Sequence, residues 1–257
     1  MKETVQFALR AKKDPIKAKN LKWFFKTGRG EYGEGDKFLG VSVPDVRAIA
    51  KRFRGLSLQE LKTLLRSPFH EERQAALFIL ISQFQKGNEA LRKKIFKMYL
   101  AHTSFINNWD LVDCSAEHIV GAYLEQKSKT LLLKLARSRL LWNRRVAMIA
   151  TFRFIKNGSS DAALKIAKLL VHDKHDLIHK AVGWMLREVG SRCLMRDLKT
   201  FLRQHSRAMP RTMLRYAIEK FPEQKRKIHL KKRSDLYPAS KHENEINQLS
   251  TSVIDTK

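Results

Sequence analysis

The chain has 257 residues, 43% of them hydrophobic, with 52 Lys and Arg against 25 Asp and Glu and a formal net charge of +27. That hydrophobic share excludes a disordered chain, the length permits one large core, and 11 Gly with 6 Pro among long Leu/Ala/Lys/Arg/Glu segments predict an all-α protein without a sheet. A charge of this size makes a polyanion the expected partner, nucleic acid ahead of an anionic membrane surface.

Along the chain, residues 3–26 read as two short helices broken at Asp14-Pro15, the second ending in the aromatic cluster Trp23-Phe24-Phe25. Gly28-Arg29-Gly30-Glu31-Tyr32-Gly33-Glu34-Gly35-Asp36-Lys37 follows. It resembles a phosphate cradle only in its glycines, because Gly35-Asp36-Lys37 lacks the Gly-Lys-Ser/Thr ending and no strand precedes it; a flexible surface loop with a basic edge is the expectation. From Pro44 the pattern settles into helix pairs, over residues 43–54 and 56–65, and then Ser67-Pro68 reads as a cap with proline at the first helical position.

The stretch from Phe105 to Val120 has the most strongly marked start. Asn107 or Asn108 is a good N-cap, Asp110 falls in the first turn, and the helix is expected to run to about Gln126. Trp109, Asp113, Ala116, Val120 and Tyr123 then form one row on its surface. Asp113 is a carboxylate on an apolar row, so either the helix rolls it to the edge of a groove or a cation meets it there.

The segments Arg73-Gln74-Ala75-Ala76-Leu77, Arg145-Val146-Ala147-Met148, Lys180-Ala181-Val182-Gly183-Trp184 and Arg211-Thr212-Met213-Leu214 resemble one another. With the Trp109 helix between the first two, they recur at about 31 to 36 residues, the period of stacked helical repeats. The expected architecture is an α-solenoid of HEAT-like repeats with a concave basic groove suited to a duplex. Trp142 pairs with Arg145 and reads as core; Trp184, beside Gly183 and flanked by Lys180 and Arg187, reads as facing the groove.

After Met209-Pro210 a last helix reaches about Phe221, and residues 222–257 read as a mostly disordered basic tail, leaving 1–221 as the folded domain. Cys114 and Cys193 make neither a disulfide framework nor a metal knuckle, and His172, His175 and His179 make no convincing metal site. The first six residues do not read as a signal peptide, and the longest apolar run, residues 75–81, is too short for a bilayer. A cytoplasmic, nucleoid-associated monomer is expected.

Asn108-Trp109-Asp110-Leu111-Val112-Asp113, Trp142-Asn143-Arg144-Arg145-Val146-Ala147 and the run from Ile178 to Glu188 through Gly183-Trp184 together resemble the AlkD-type DNA alkylation-repair glycosylases, as does Phe38-Leu39-Gly40-Val41-Ser42-Val43-Pro44. The resemblance covers about residues 5 to 221. It implies a HEAT-like solenoid that cups double-stranded DNA and removes cationic N3- or N7-alkylated purines in base excision repair, without base flipping and without a metal or small-molecule cofactor. It implies Asp113 as the catalytic carboxylate, Trp109 and Trp184 packed on the deoxyribose, and Arg145 on a phosphate beside the lesion. Lys180 and Arg187 would add DNA contacts.

The chain departs from the family pattern in places. Asn108 replaces a second aromatic, Arg153 replaces a DNA-binding lysine, Phe24 stands for a tyrosine, and the 28–37 loop looks inserted, with Arg29 or Lys37 placed to reach the minor groove. Two rival readings remain at the level of sequence. One is a non-catalytic repeat protein that binds bent or branched DNA; the other is a protein scaffold, which would not need the charge.

Overall fold

Thr4, Asp14, Ser42, Ser57, Asn88 and Asn108 each place a side-chain oxygen on a backbone N–H at the start of a helix. The computed structural model describes residues 3–230, and within them the regular elements are helical. In chain order these are α1 (Val5–Arg10), α2 (Pro15–Phe24), α3 (Val43–Arg52), α4 (Leu58–Leu65), α5 (His70–Lys86), α6 (Glu89–Ala101) and α7 (Trp109–Asp113). A π-helical turn (Glu117–Gly121) follows, then α8 (Ala122–Leu124), α9 (Thr130–Ala136), α10 (Leu141–Ala150), α11 (Phe152–Lys156), α12 (Asp161–Leu170), α13 (Asp176–Arg192), α14 (Met195–His205) and α15 (Arg211–Ala217). All of these belong to a compact unit of residues 1–217. A second unit, residues 218–257, contains α16 (Glu223–Leu230). The helix occupies part of the segment expected to be mostly disordered; the basic cluster at 231–233 and the polar end lie outside the described residues.

The first unit is the α-solenoid that the repeat spacing predicts. The helices carrying the recurring segments pack in succession, α5 on α7, α7 on α10, α10 on α13 and α13 on α15, while α3, α4 and α6 back α5 and α12 and α14 back α13. Leu77, Leu80, Leu111, Val146, Ile178, Val182 and Met213 are buried along that row. Gly183 makes a close joint: a Cβ there would lie 2.5 Å from the Met213 carbonyl oxygen on α15. Its missing side chain thus serves helix packing.

The helix after Asn108 is not continuous. Ser115 donates to the Leu111 carbonyl at 2.5 Å, the backbone turns after Asp113, and the wider turn at 117–121 follows. The expected row therefore splits: Trp109 and Asp113 stay together, half-buried, Ala116 and Val120 enter the core, and Tyr123 stacks on Phe96. Similarly, α5 begins at His70 rather than at Pro68, because Ser67 Oγ accepts from Phe69 N–H and donates to Glu72 instead of capping a helix.

The 28–37 loop is held by its own bonds rather than loose. Gly28 and Gly30 donate to the carboxylates of Glu31 and Glu34 at 2.7 and 2.8 Å, and Gly33 donates to Lys26 at 3.0 Å. The following Phe38-Leu39-Gly40-Val41 wraps a buried carboxylate: Glu71 accepts from Leu39, Gly40 and Val41 N–H at 2.9, 2.8 and 3.3 Å. Gly40 has φ +83° and passes so close to Asp14 that a Cβ would meet its carbonyl, which accounts for glycine there.

Candidate active site

Asn108 fixes the start of α7, so Trp109 and Asp113, one turn apart, present their side chains to the same cavity. Across it α10 contributes Arg145 and α13 contributes Lys180, Trp184 and Arg187. The cavity is about 480 Å³, and Phe24, Lys26, Tyr32 and Tyr216 complete much of its wall.

The cation that meets Asp113 is Arg145. Its Nε and Nη2 donate to Asp113 Oδ1 and Oδ2 at 2.9 and 2.7 Å, and its Nη1 donates to the Leu177 carbonyl. The Asp113 side chain is 18% exposed and that of Arg145 only 5%, so the pair is largely out of water. Burial pushes the Asp113 carboxyl above the usual carboxylate range, against the pull of Arg145. The planar fork holds the carboxylate in one orientation facing the cavity. The guanidinium expected on a phosphate thus spends three of its five N–H donors on Asp113 and Leu177.

Of the other residues singled out from sequence, Trp184 is half-buried against Phe152, with ring centroids 5.7 Å apart, and lines the cavity, as does Lys180, whose Nζ lies 2.7 Å from Asp176. Trp142 is buried, as expected for core. Phe24 is 53% exposed and stands edge-on to Trp109 at 6.0 Å. Arg153 is not brought to the cavity: it pairs with Glu125 at 2.9 Å and lines a separate depression with Tyr123. Arg29 and Lys37 are exposed on their loop and do not line the cavity.

Tyr32 is the site residue that sequence reasoning passed over. Carried by the loop that looked like an insertion, it lies edge-on to Trp142 at 6.2 Å. Burial pushes its hydroxyl pKa up, opposed by a hydrogen bond with Trp109 and by the charge of Lys180, so it stays protonated. With Phe24 it lines the cavity, and it carries a phenol hydroxyl there. Aromatic residues between glycines usually signal only a turn, which is why nothing local marked it.

Beneath Trp109 lies a buried polar cluster. His70 reaches Asp110 through Nε2 at 2.8 Å and Asp36 through Nδ1 at 3.4 Å; Arg73 and Asn107 donate to Asp36 at 2.8 and 3.2 Å. The His70 ring stacks on Phe25 and Phe38, and Phe25 packs on Trp109. Burial pushes this imidazole down, but the charge of Asp110 and the bonds to Asp110 and Asp36 outweigh it, taking its pKa from 6.5 up to about 8. A pKa raised on folding stabilises the protein fully below 6.5 and ceases to do so as pH rises through about 8. The wild type is therefore expected to lose about 2 kcal/mol of unfolding free energy across that interval. Urea midpoints against pH check it, and His70→Gln should lack this slope; a wild-type curve flat from pH 6 to 9 would refute the charged state.

Among the described residues no group of three or more His, Cys, Asp or Glu side chains is placed to hold a metal ion, and no helix is long and apolar enough to cross a membrane. A solved structure from Enterococcus faecalis, described as a predicted DNA alkylation repair enzyme, is similar in fold: the TM-score is 0.65 at 16% identity, over 82% of this chain and 98% of that one. No curated protein matches the chain. The family described as DNA alkylation repair enzyme matches residues 5–221, which include every residue that lines the cavity. The chain belongs to the DNA alkylation repair enzyme family.

Proposed function

We propose that the chain is a DNA glycosylase that hydrolyses the bond between deoxyribose and a cationic N3- or N7-alkylated purine in duplex DNA, as a step of base excision repair. The observation that carries the reading is the clamped Asp113 carboxylate, turned by Arg145 toward a cavity that Trp109 and Trp184 both line. An alkylated purine with a positive charge is already a good leaving group, so catalysis needs to stabilise a cationic sugar and supply water. Asp113 provides fixed negative charge beside C1′ and takes a proton from the water whose oxygen bonds to C1′; the electrons of the broken bond neutralise the purine. The indole faces of Trp109 and Trp184 favour the same developing cation.

The sugar, not the base, is what these groups address, so the lesion need not be extruded for the bond to break. Lys26, Lys180 and Arg187 line the cavity and are suited to flanking phosphates, with Arg29 and Lys37 as further contacts from the loop. A monomer in the cytoplasm, acting on the nucleoid, suffices for this work.

The test is release of 3-methyladenine and 7-methylguanine from methylated duplex DNA. Release is expected; absence of release, with bulkier cationic adducts also left intact, would favour the non-catalytic reading. Duplex affinity is expected to fall on the order of 10³-fold from about 50 to 200 mM salt. An affinity indifferent to salt would instead indicate a protein scaffold.

A further inference from the structure

A second cavity, of about 530 Å³, adjoins that of Asp113. Phe24 and Trp109 line both, so this edge-to-face pair forms the partition between them. On its far side the walls are aromatic: Phe25, Phe38 and Phe78, all largely buried, face the space with Trp109. A cavity of this size and lining suits a flat, two-ring ligand.

Its polar groups narrow the choice further. Asp110 Oδ2 accepts from Gln74 at 3.1 Å and meets His70 at 2.8 Å, whereas Asp110 Oδ1 is buried with no hydrogen-bond partner among the described residues. Glu71 also lines the cavity, but its carboxylate is filled by three backbone N–H groups. The unmet acceptor is therefore on Asp110, and it calls for an N–H donor. Arg47 is exposed, lines the same cavity and lies 4.1 Å over the Phe78 ring. It offers donors to ring nitrogens or a carbonyl and disfavours a cationic ligand.

A flat ring system, an amino donor and ring acceptors on a neutral body describe an aminopurine. We infer that this cavity binds a free, neutral amino-bearing purine base. Resting on the glycosylase reading for its source, the occupant is the purine freed at Asp113, which loses its positive charge when the bond breaks and passes the Phe24–Trp109 partition. The cavity is then a product site, and free base slows the next turnover.

Equilibrium dialysis of the full chain against radiolabelled adenine, with unsubstituted purine as comparison, tests this without requiring turnover. Adenine is expected to bind saturably, and purine, which lacks the amino donor, about 10-fold or more weakly. Val43 lines the cavity, is 44% exposed and takes no part in the Asp113 site. Val43→Trp should therefore weaken adenine binding about 10-fold or more while single-turnover cleavage of the bond to 3-methyladenine keeps the wild-type rate. Asp110→Asn should lose the preference for adenine over purine. No saturable binding of adenine, or equal binding by wild type and Val43→Trp, overturns the site. Binding without purine release from DNA overturns the glycosylase reading and leaves a purine site filled from solution; release without binding does the reverse.

Discussion

Asp113→Asn is expected to bind alkylated duplex DNA within a few-fold of wild type and to lose purine release by ~10²- to 10⁴-fold. The substitution keeps the shape of the side chain and a hydrogen-bonding partner for Arg145, but removes the negative charge and the proton acceptor. Because the carboxylate is bonded to Arg145, whereas the phosphate contacts are proposed for Lys26, Lys180 and Arg187 on other elements, binding and chemistry should separate. Burial raises the Asp113 pKa, so wild-type release should fall on the acid side at a higher pH than an ordinary aspartate would give. Single-turnover release from methylated duplex, measured against pH beside a binding isotherm, checks both points. Normal turnover by the variant would remove Asp113 from the mechanism; loss of binding in step with release would make its role structural.

The second large effect is on stability. Arg145→Met leaves Asp113 with no counter-charge in a site where its side chain is 18% exposed, and it empties the bond to the Leu177 carbonyl on α13. Removing one partner of such a buried pair costs about 3–5 kcal/mol, most of it the penalty of the abandoned charge. Two consequences follow from that cause. The loss should shrink as pH falls and Asp113 takes up a proton, and the double variant Asp113→Asn/Arg145→Met should recover part of it. Urea denaturation of the four proteins at several pH values tests the account. A single variant as stable as wild type at neutral pH would show that the fork holds only the catalytic geometry and not the fold.

The same pair shows where sequence reading stops. Asp113 stood out as a carboxylate on an apolar row, and a cation meeting it there was one of the two options left open. Which cation was not legible, since Arg145 lies 32 positions away and its neighbour Arg144 was chemically as good; the structure turns Arg144 to Asp173 at 2.6 Å and Arg145 to Asp113. Arg153 was singled out from a family position, yet its charge is taken by Glu125 outside the cavity. Tyr32 and the His70–Asp110 contact carried no pattern that a spacing rule could find.

What the sequence by itself determined is what local forces dictate. Helix propensity, caps such as Asn108 and Ser57, and the apolar period specify the helices, and the recurring segments specify that they stack, because each helix has one apolar face that must be covered by its neighbours. Tertiary structure alone decided which polar groups meet inside that stack. Their pairing depends on how far α7, α10 and α13 approach and rotate, on the joint at Gly183 and on the break that Ser115 puts into the helix after Asp113. A buried charge has its partner chosen by sub-ångström geometry between elements far apart in the chain, and no periodicity along the chain encodes that distance.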